Sequence, residues 1–123
     1  MTRVVATIMG LAVATVAALV LLAGCSSPTP IDVESATVID VRTPDEYAQG
    51  HLDGAINLDV QASDFSSQIA DLARDGRYVV YCRSGVRAGT AVALMTDAGF
   101  TDVVSAGGMQ AASQSTGLEI VAS

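Results

Sequence analysis

The run RYVVY at residues 77–81 restricts the fold of this chain more than any other segment. It is rich in residues that favour strands, and apolar and polar side chains do not alternate along it. Such a run is typical of a strand covered on both faces, as in a parallel sheet between helices. The small and apolar residues 86–98 that follow predict a helix, which ends at Gly99.

Further apolar runs alternate with helix signals along the chain. Residues 37–41, 55–58 and 102–106 are predicted as strands, and residues 64–74 as a helix. The segment TPDEYAQG (43–50) has threonine at a plausible N-cap, proline at the first helical position and glutamate at the third, which predicts a short helix. With 123 residues, the chain has room for one domain. We expect an α/β domain with a central, mainly parallel sheet flanked by helices.

The N-terminal segment has the pattern of an export signal. Residues 4–24 carry no charge, follow Met-Thr-Arg and end in LAG before Cys25. LAGC resembles the lipobox of bacterial lipoproteins, which implies cleavage before Cys25 and lipidation of that residue. We therefore expect a signal peptide at 1–24, a linker at 25–35 and the domain at 36–123, anchored to a membrane outside the cytoplasm. The alternative is an uncleaved membrane helix, because about 20 apolar residues span a bilayer.

The charge of the chain excludes some partners. The formal net charge is −7, and arginine supplies all the formal positive charge of the side chains because the sequence contains no lysine. An acidic protein of this kind is a poor candidate for binding nucleic acid. Any anion that it binds has to be attracted locally.

The cysteines then become informative. The sequence has two, and if Cys25 carries a lipid, Cys82 is the one thiol of an exported protein. Exported proteins usually pair their cysteines in disulfides. A lone thiol is therefore either buried and inert or kept for its chemistry.

Cys82 follows the predicted central strand and precedes a glycine-containing turn and a helix. This order places its sulfur at the carboxyl edge of a parallel sheet, where open α/β folds bind ligands. Gly85 allows the turn to direct its amides toward one point, and the helix adds its positive end. With Arg83 and Arg87 nearby, these groups favour a nucleophilic thiolate. The alternative is that Cys82 packs as a small apolar residue and Gly85 merely turns the chain.

Three segments resemble the signatures of the rhodanese-like sulfurtransferase family. They are DVRTPDEYAQGHLDGAINL (40–58), YCRSGVRA (81–88) and AGGM (106–109). The resemblance covers about residues 36–120 and implies an α/β domain whose cysteine holds a sulfane sulfur as a persulfide. The donor would be a small anion such as thiosulfate, and cyanide or a thiol would accept the sulfur. Neither a metal nor another cofactor is expected.

The resemblance also assigns roles to residues. Cys82 matches the persulfide-forming cysteine, and the surrounding amides come from Arg83, Ser84, Gly85, Val86 and Arg87. Asp40 and Arg42 look like supports of the site, although an ion pair between Arg42 and Glu46 could simply fix the short helix. His51 matches a structural turn rather than a general base. Arg83 resembles the thiosulfate-type enzymes more than the mercaptopyruvate-type ones.

Two departures from the family pattern and two rival functions stay open. The strand and helix that usually open the domain are missing or compressed, and Ala111-Ala112 stand where a tryptophan is common.

The first rival is a membrane-tethered sulfur carrier or binding module with little turnover. The second is a phosphatase or arsenate reductase. Those enzymes place five residues between cysteine and arginine, whereas four lie between Cys82 and Arg87.

Overall fold

The computed structural model describes residues 28–122. The predicted signal peptide and Cys25 lie outside these residues. Within them, no helix is long and apolar enough to span a membrane. The elements in chain order are β1 (Ala36–Asp40), α1 (Pro44–Gln49), β2 (His51–Leu52), β3 (Ile56–Asn57), α2 (Phe65–Ala70), β4 (Arg77–Cys82), α3 (Val86–Asp97), β5 (Asp102–Gly108), α4 (Met109–Thr116) and β6 (Ile120–Val121).

A four-stranded sheet in the order β3-β1-β4-β5 forms the centre of the domain. Every neighbouring pair in it is parallel, so the carboxyl ends of its strands meet at one edge. The predicted α/β class with a parallel sheet is therefore confirmed. A separate antiparallel pair, β2 with β6, brings the last described strand back to the segment after α1.

Side chains of the central strands alternate between two apolar clusters, as the pleat of a strand requires. In β4, Tyr78, Val80 and Cys82 contribute to the cluster that contains residues of α2 and α3. Val79 and Tyr81 contribute to the other cluster, which contains Leu52 of β2 and Ala112 of α4. The strand is buried on both faces, which explains why its sequence shows no alternation of polarity.

The structure differs from the predicted helix at residues 64–74. Helix α2 covers only Phe65–Ala70, because the chain then continues in turns: the backbone N–H groups of Asp71 and Leu72 donate to carbonyls three residues earlier. The hydroxyl of Tyr78 donates to the carbonyl of Ala73 over 2.7 Å, and the backbone N–H of Thr101 donates to the carbonyl of Arg74 over 3.2 Å. These tertiary contacts hold the segment between α2 and β4 against the rest of the domain.

The described part of the predicted linker lies against the domain. The backbone N–H of Ile31 donates to the carbonyl of Ser115 in α4 at 2.7 Å. Ile31 and Val33 also pack against the apolar cluster that contains Ala112. Ala112, one of the two alanines that stand where the resemblance leads us to expect tryptophan, is fully buried. Residues before β1 thus help to cover the α4 face of the sheet.

Candidate active site

Cys82 is the last residue of β4 and lies at the carboxyl edge of the sheet. Its side chain belongs to the apolar cluster beneath α3 and has 0% exposed surface. The sulfur is nevertheless hydrogen-bonded, because the backbone N–H of Gly85 donates to Sγ over 2.9 Å. An N–H that donates to sulfur stabilises it when it carries a negative charge. The structure therefore combines the two sequence hypotheses: the thiol is buried, and a backbone amide faces it.

The segment that follows Cys82, residues 83–87, includes the first two residues of α3; we call it the 83–87 turn. Its path depends on two glycines. Gly85 has φ of +103°, in the left-handed region that other residues rarely adopt. Gly108, at the end of β5, lies so close to the turn that a Cβ there would be 2.7 Å from the carbonyl oxygen of Arg83. Arg83 and Ser84 are exposed, as is Val86, with 76% of its surface accessible. The turn therefore packs against β5 on one side and presents its side chains to solvent on the other.

Helix α3 begins directly after the N-cap residue Gly85. The first backbone N–H groups of a helix have no partner within it, and they carry a partial positive charge. Gly85 supplies no side-chain cap to them. This end of a 12-residue helix adjoins Cys82, so the predicted relation between thiol and helix terminus is present.

Arg87, predicted to bind substrate, forms an ion pair with Glu46 of α1. Its Nη1 and Nη2 donate to the two carboxylate oxygens over 2.7 and 2.9 Å. These bonds lower the pKa of Glu46 to about 2, and the same pair raises the pKa of Arg87. A negative charge on Cys82 also raises the pKa of Arg87. A role of Arg87 in substrate binding stays a prediction.

The alternative pair between Arg42 and Glu46 is wrong. Arg42 instead binds Asp40, with Nη2 2.6 Å from Oδ2 and Nε 2.9 Å from Oδ1. Both residues are almost fully buried. Hydrogen bonding to Asp40 raises the pKa of Arg42 against the opposing effect of burial. Nη2 of Arg42 also donates to the carbonyl of Gly50 over 2.6 Å, which fixes the end of α1.

Tyr81 completes this buried group. Its hydroxyl donates to Oδ2 of Asp40 over 2.8 Å and accepts the backbone N–H of Leu52 over 2.9 Å. Burial is the main reason that the pKa of Tyr81 is raised. Tyr81 points to the face of the sheet opposite Cys82. Asp40 therefore supports the framework behind the thiol, and no hydrogen bond in residues 28–122 joins it to the 83–87 turn.

A pocket of about 300 Å³ opens beside the turn. The segment from β1 to the end of α1 contributes four of its residues, the turn contributes one and the C-terminal part contributes two. They are Arg42, Glu46, Gln49, Gly50, Arg83, Met109 and Ile120. Cys82 is not among them, but its backbone pairs with Gly108, which precedes Met109. The pocket thus borders the turn that follows the thiol, through Arg83.

Comparison with known proteins identifies the family. Residues 29–115 match the Rhodanese-like domain family. The chain belongs to the rhodanese-like family. Thiosulfate sulfurtransferase PspE of Escherichia coli strain K12 is 35% identical over 72 residues, which cover 58% of this chain and 69% of the relative. A sulfurtransferase of Allochromatium vinosum is 34% identical over 91 residues, covering 74% and 83%.

A solved structure agrees with this assignment. The structure described as rhodanese with anions from E. coli has a TM-score of 0.58 and 29% sequence identity, and the match covers 72% of this chain and 99% of that chain. The resemblance found in the sequence and the α/β fold that it implied are both confirmed.

His51 of this rhodanese-like domain occupies a structural position, as expected. Its ring stacks on that of Tyr47, with centroids 3.8 Å apart, and its Nδ1 lies 2.9 Å from the Tyr47 carbonyl oxygen. The hydroxyl of Tyr47 donates to the carbonyl of Ala55 over 2.6 Å. These contacts fix the chain between α1 and β3.

Sequence reasoning missed several residues of the site. Glu46 was recognised for its place in the capping box, and the structure shows that box between its side chain and Thr43. The same carboxylate also binds Arg87, and no local signal predicts that contact. Met109 and Ile120 line the pocket only because β5 and β6 bring the C-terminal part of the chain back to the edge of the sheet that holds Cys82. The position of Tyr81 could have been predicted, because successive side chains of a strand point to opposite faces of the sheet.

Proposed function

We propose that this chain is a thiosulfate-type sulfurtransferase. The observation that carries the proposal is the Gly85 N–H donated to Sγ of Cys82 at the start of α3, in a chain of the rhodanese-like family. Relatives 35% identical or more that are named thiosulfate sulfurtransferase support the donor. Arg83, exposed and without an ion pair within residues 28–122, supplies a local positive charge that attracts an anion despite the acidic chain.

The proposed first step is the attack of the Cys82 thiolate on the outer sulfur of thiosulfate. A bond forms between Sγ and that sulfur, the sulfur–sulfur bond of thiosulfate breaks, and its electron pair leaves with sulfite. The enzyme then holds a persulfide. The amides of the 83–87 turn and the end of α3 stabilise the negative charge on the sulfur before and after the step. Cyanide or a thiolate removes the outer sulfur and returns the Cys82 thiolate.

The decisive experiment is to treat the purified protein with thiosulfate and measure its intact mass. We expect a gain of one sulfur atom, which cyanide or a thiol reverses. Cys82→Ser should show no gain. An unsubstituted protein that gains no sulfur would refute the proposal, and an equal gain in both proteins would place the reactive group elsewhere.

One observation favours a second candidate function, that of a sulfur carrier with little turnover. Cys82 has 0% exposed surface, so a donor or acceptor reaches its sulfur only when the structure around it opens, and we infer that the 83–87 turn is the part that moves. If opening is slow, the protein stores sulfur and delivers it only to a partner that opens the turn. A stable persulfide with negligible thiosulfate:cyanide turnover would support the carrier, and saturable turnover by the isolated protein would support the enzyme.

Export and anchoring are also proposals, and they rest on residues 1–25 alone. Labelled palmitate added to bacteria that make the full chain should be incorporated into the protein. Cys25→Ala should abolish the label and leave the precursor uncleaved. If the label persists in this variant, Cys25 is not the lipidation site.

A further inference from the structure

The side chain of Arg87 is bound within the protein, although Arg87 belongs to the turn beside the thiol. Its Nη1 and Nη2 donate to both carboxylate oxygens of Glu46, over 2.7 and 2.9 Å. A bidentate pair of this kind fixes the plane of the guanidinium as well as its position. Glu46 lines the pocket beside the turn, whereas Arg87 does not. The arginines that face the pocket are therefore Arg42 and Arg83, and Arg87 faces α1.

Glu46 can hold Arg87 because Glu46 is itself fixed. Its carboxylate accepts hydrogen bonds from the backbone N–H and the hydroxyl of Thr43 in the capping box of α1. The residue before Thr43 is Arg42, which binds the buried carboxylate of Asp40, the last residue of β1. The ion pair therefore connects the 83–87 turn to the buried end of a central strand.

Within the described part of the chain, no second contact of this kind reaches the turn. Apart from Cys82 itself, Glu46 is the one side chain from outside α3 that forms a hydrogen bond with it there. The N–H that donates to Sγ belongs to Gly85, two residues before Arg87 and directly before the helix. A displacement of Arg87 therefore displaces the start of α3, and with it the N–H that faces the sulfur.

The charge of Glu46 makes its place at the pocket unexpected. A carboxylate beside a site for an anionic sulfur donor would repel that donor. Arg87 compensates this charge through both carboxylate oxygens. The arrangement spends one arginine on the acid of the pocket and leaves Arg83, which has no ion pair in the described residues, for the donor.

We propose that Glu46 is a positioning residue for sulfur transfer. Through the guanidinium of Arg87 it holds the first turn of α3 in place, so that the amides after Cys82 converge on the charged sulfur. The side chain of Arg87 serves this purpose and does not bind the donor. This inference rests on the proposed sulfur transfer and assigns an acidic side chain to a reaction between two anions.

The first test separates binding from chemistry. Persulfide formation is timed by mass spectrometry at increasing thiosulfate concentration, which gives a saturating rate and a half-saturation concentration. In Glu46→Gln we expect the saturating rate to fall about fivefold, the effect of losing a partly buried ion pair. The half-saturation concentration should change by less than about twofold, because the lost contact orients the turn rather than the donor. If Arg87 were a ligand of the donor, freeing it from Glu46 would lower the half-saturation concentration instead.

A double variant shows whether Glu46 acts through Arg87. In the Arg87→Gln background, Glu46→Gln should change the saturating rate by less than about twofold, because the ion pair is already broken. A saturating rate that is unchanged or higher in Glu46→Gln alone would overturn the inference. An equal loss from Glu46→Gln with and without Arg87 would overturn it too.

Tyr78→Phe is the matched control for a general loss of stability. It removes the hydrogen bond of 2.7 Å to the carbonyl of Ala73, at the opposite end of β4 from Cys82. Its saturating rate should stay within about twofold of that of the unsubstituted protein. A loss as large as that of Glu46→Gln would assign the effect to stability and overturn the inference.

A second measurement does not depend on thiosulfate. NMR follows hydrogen exchange of the Gly85 N–H, which donates to Sγ. Exchange should be at least about threefold faster in Glu46→Gln and unchanged in Tyr78→Phe. This result supports the hold of Glu46 on the turn even if the unsubstituted protein gains no sulfur, in which case the proposed sulfur transfer alone fails. Exchange that is not accelerated in Glu46→Gln, or is accelerated equally in both variants, overturns the inference even if loading succeeds.

Discussion

Glu46 and Arg87 join α1 to the first turn of α3 through two parallel hydrogen bonds of 2.7 and 2.9 Å. Glu46 is the third residue of α1, and its backbone N–H and carboxylate also form the capping box with Thr43. The carboxylate of Glu46 thus caps the start of α1 and binds the first turn of α3. The turn that surrounds Cys82 is fixed at its far end by this ion pair.

The ion pair predicts an acid-dependent stability. Arg87 lowers the pKa of Glu46 from 4.5 to about 2, so the carboxylate stabilises the fold fully above pH 4.5 and loses this effect as the pH falls toward 2. Glu46→Gln should lower the free energy of unfolding by about 1 kcal/mol at pH 7. The difference from the unsubstituted protein should shrink between pH 4.5 and 2, as measured by urea unfolding.

Glu34→Gln is the control, because Glu34 is exposed and has no ion pair in the described residues. Its free energy of unfolding at pH 7 should stay within about 0.5 kcal/mol of that of the unsubstituted protein. A difference between Glu46→Gln and the unsubstituted protein that stays constant from pH 7 to 2 would show that the ion pair does not act through the charge of Glu46.

Removing the charge of Asp40 should be far more costly. Asp40→Asn leaves the buried guanidinium of Arg42 without its counter-ion. Breaking a buried ion pair from one side costs about 3–5 kcal/mol, because the remaining charge has lost its compensation. Urea unfolding at pH 7 should show this loss, whereas Tyr81→Phe, which removes one hydroxyl from the same group, should cost about 1–3 kcal/mol. A loss below that of Tyr81→Phe would contradict the assigned role of Asp40.

The contact between Gly108 and the turn predicts a specific loss of sulfur loading. In Gly108→Ala the new Cβ would meet the backbone oxygen of Arg83 at 2.7 Å, and backbone yields less easily than a flexible side chain. We expect slower persulfide formation and a loss of about 1–3 kcal/mol in stability. The rate follows from mass spectrometry after timed mixing with thiosulfate.

Gly89→Ala is the matched control. Gly89 is exposed in α3, and a Cβ there meets nothing within 4 Å. Alanine should raise stability by about 0.5–1 kcal/mol, since glycine is less favourable inside a helix. Its loading rate should remain normal, and loading as slow as in Gly108→Ala would remove the steric explanation.

The burial of Cys82 predicts slow alkylation. With 0% exposed surface, its sulfur meets iodoacetamide only when the 83–87 turn opens. The folded protein should react at least about tenfold more slowly than the same protein in urea at equal pH. Mass spectrometry of timed samples gives both rates. Equal rates would mean that the thiol is open to solvent in the folded state.

The parallel sheet could be predicted from the sequence, because a strand buried on both faces has a recognisable composition. The position of Cys82 could be predicted too, because the end of that strand lies at the carboxyl edge of the sheet. The sequence could not choose between Arg42 and Arg87 as the partner of Glu46. Both side chains carry the same charge, and the choice depends on β1 lying beside β4 in the sheet. Strands β2 and β6, with two residues each, are too short to show a period.

Strand β1 lies inside the sheet, and both of its neighbours, β3 and β4, come later in the chain. At a synthesis rate of about 5–20 residues per second, β4 leaves the ribosome a few seconds after β1. Through that interval the two-residue strand β3 is the one strand of the described four-stranded sheet that can pair with β1. Strand β4 ends in Cys82, so a nascent chain cut short before β4 lacks both the second central strand and the proposed reactive cysteine. Synthesis therefore delivers the central strand and Cys82 together, before α3 and β5 are added to the fold and the site.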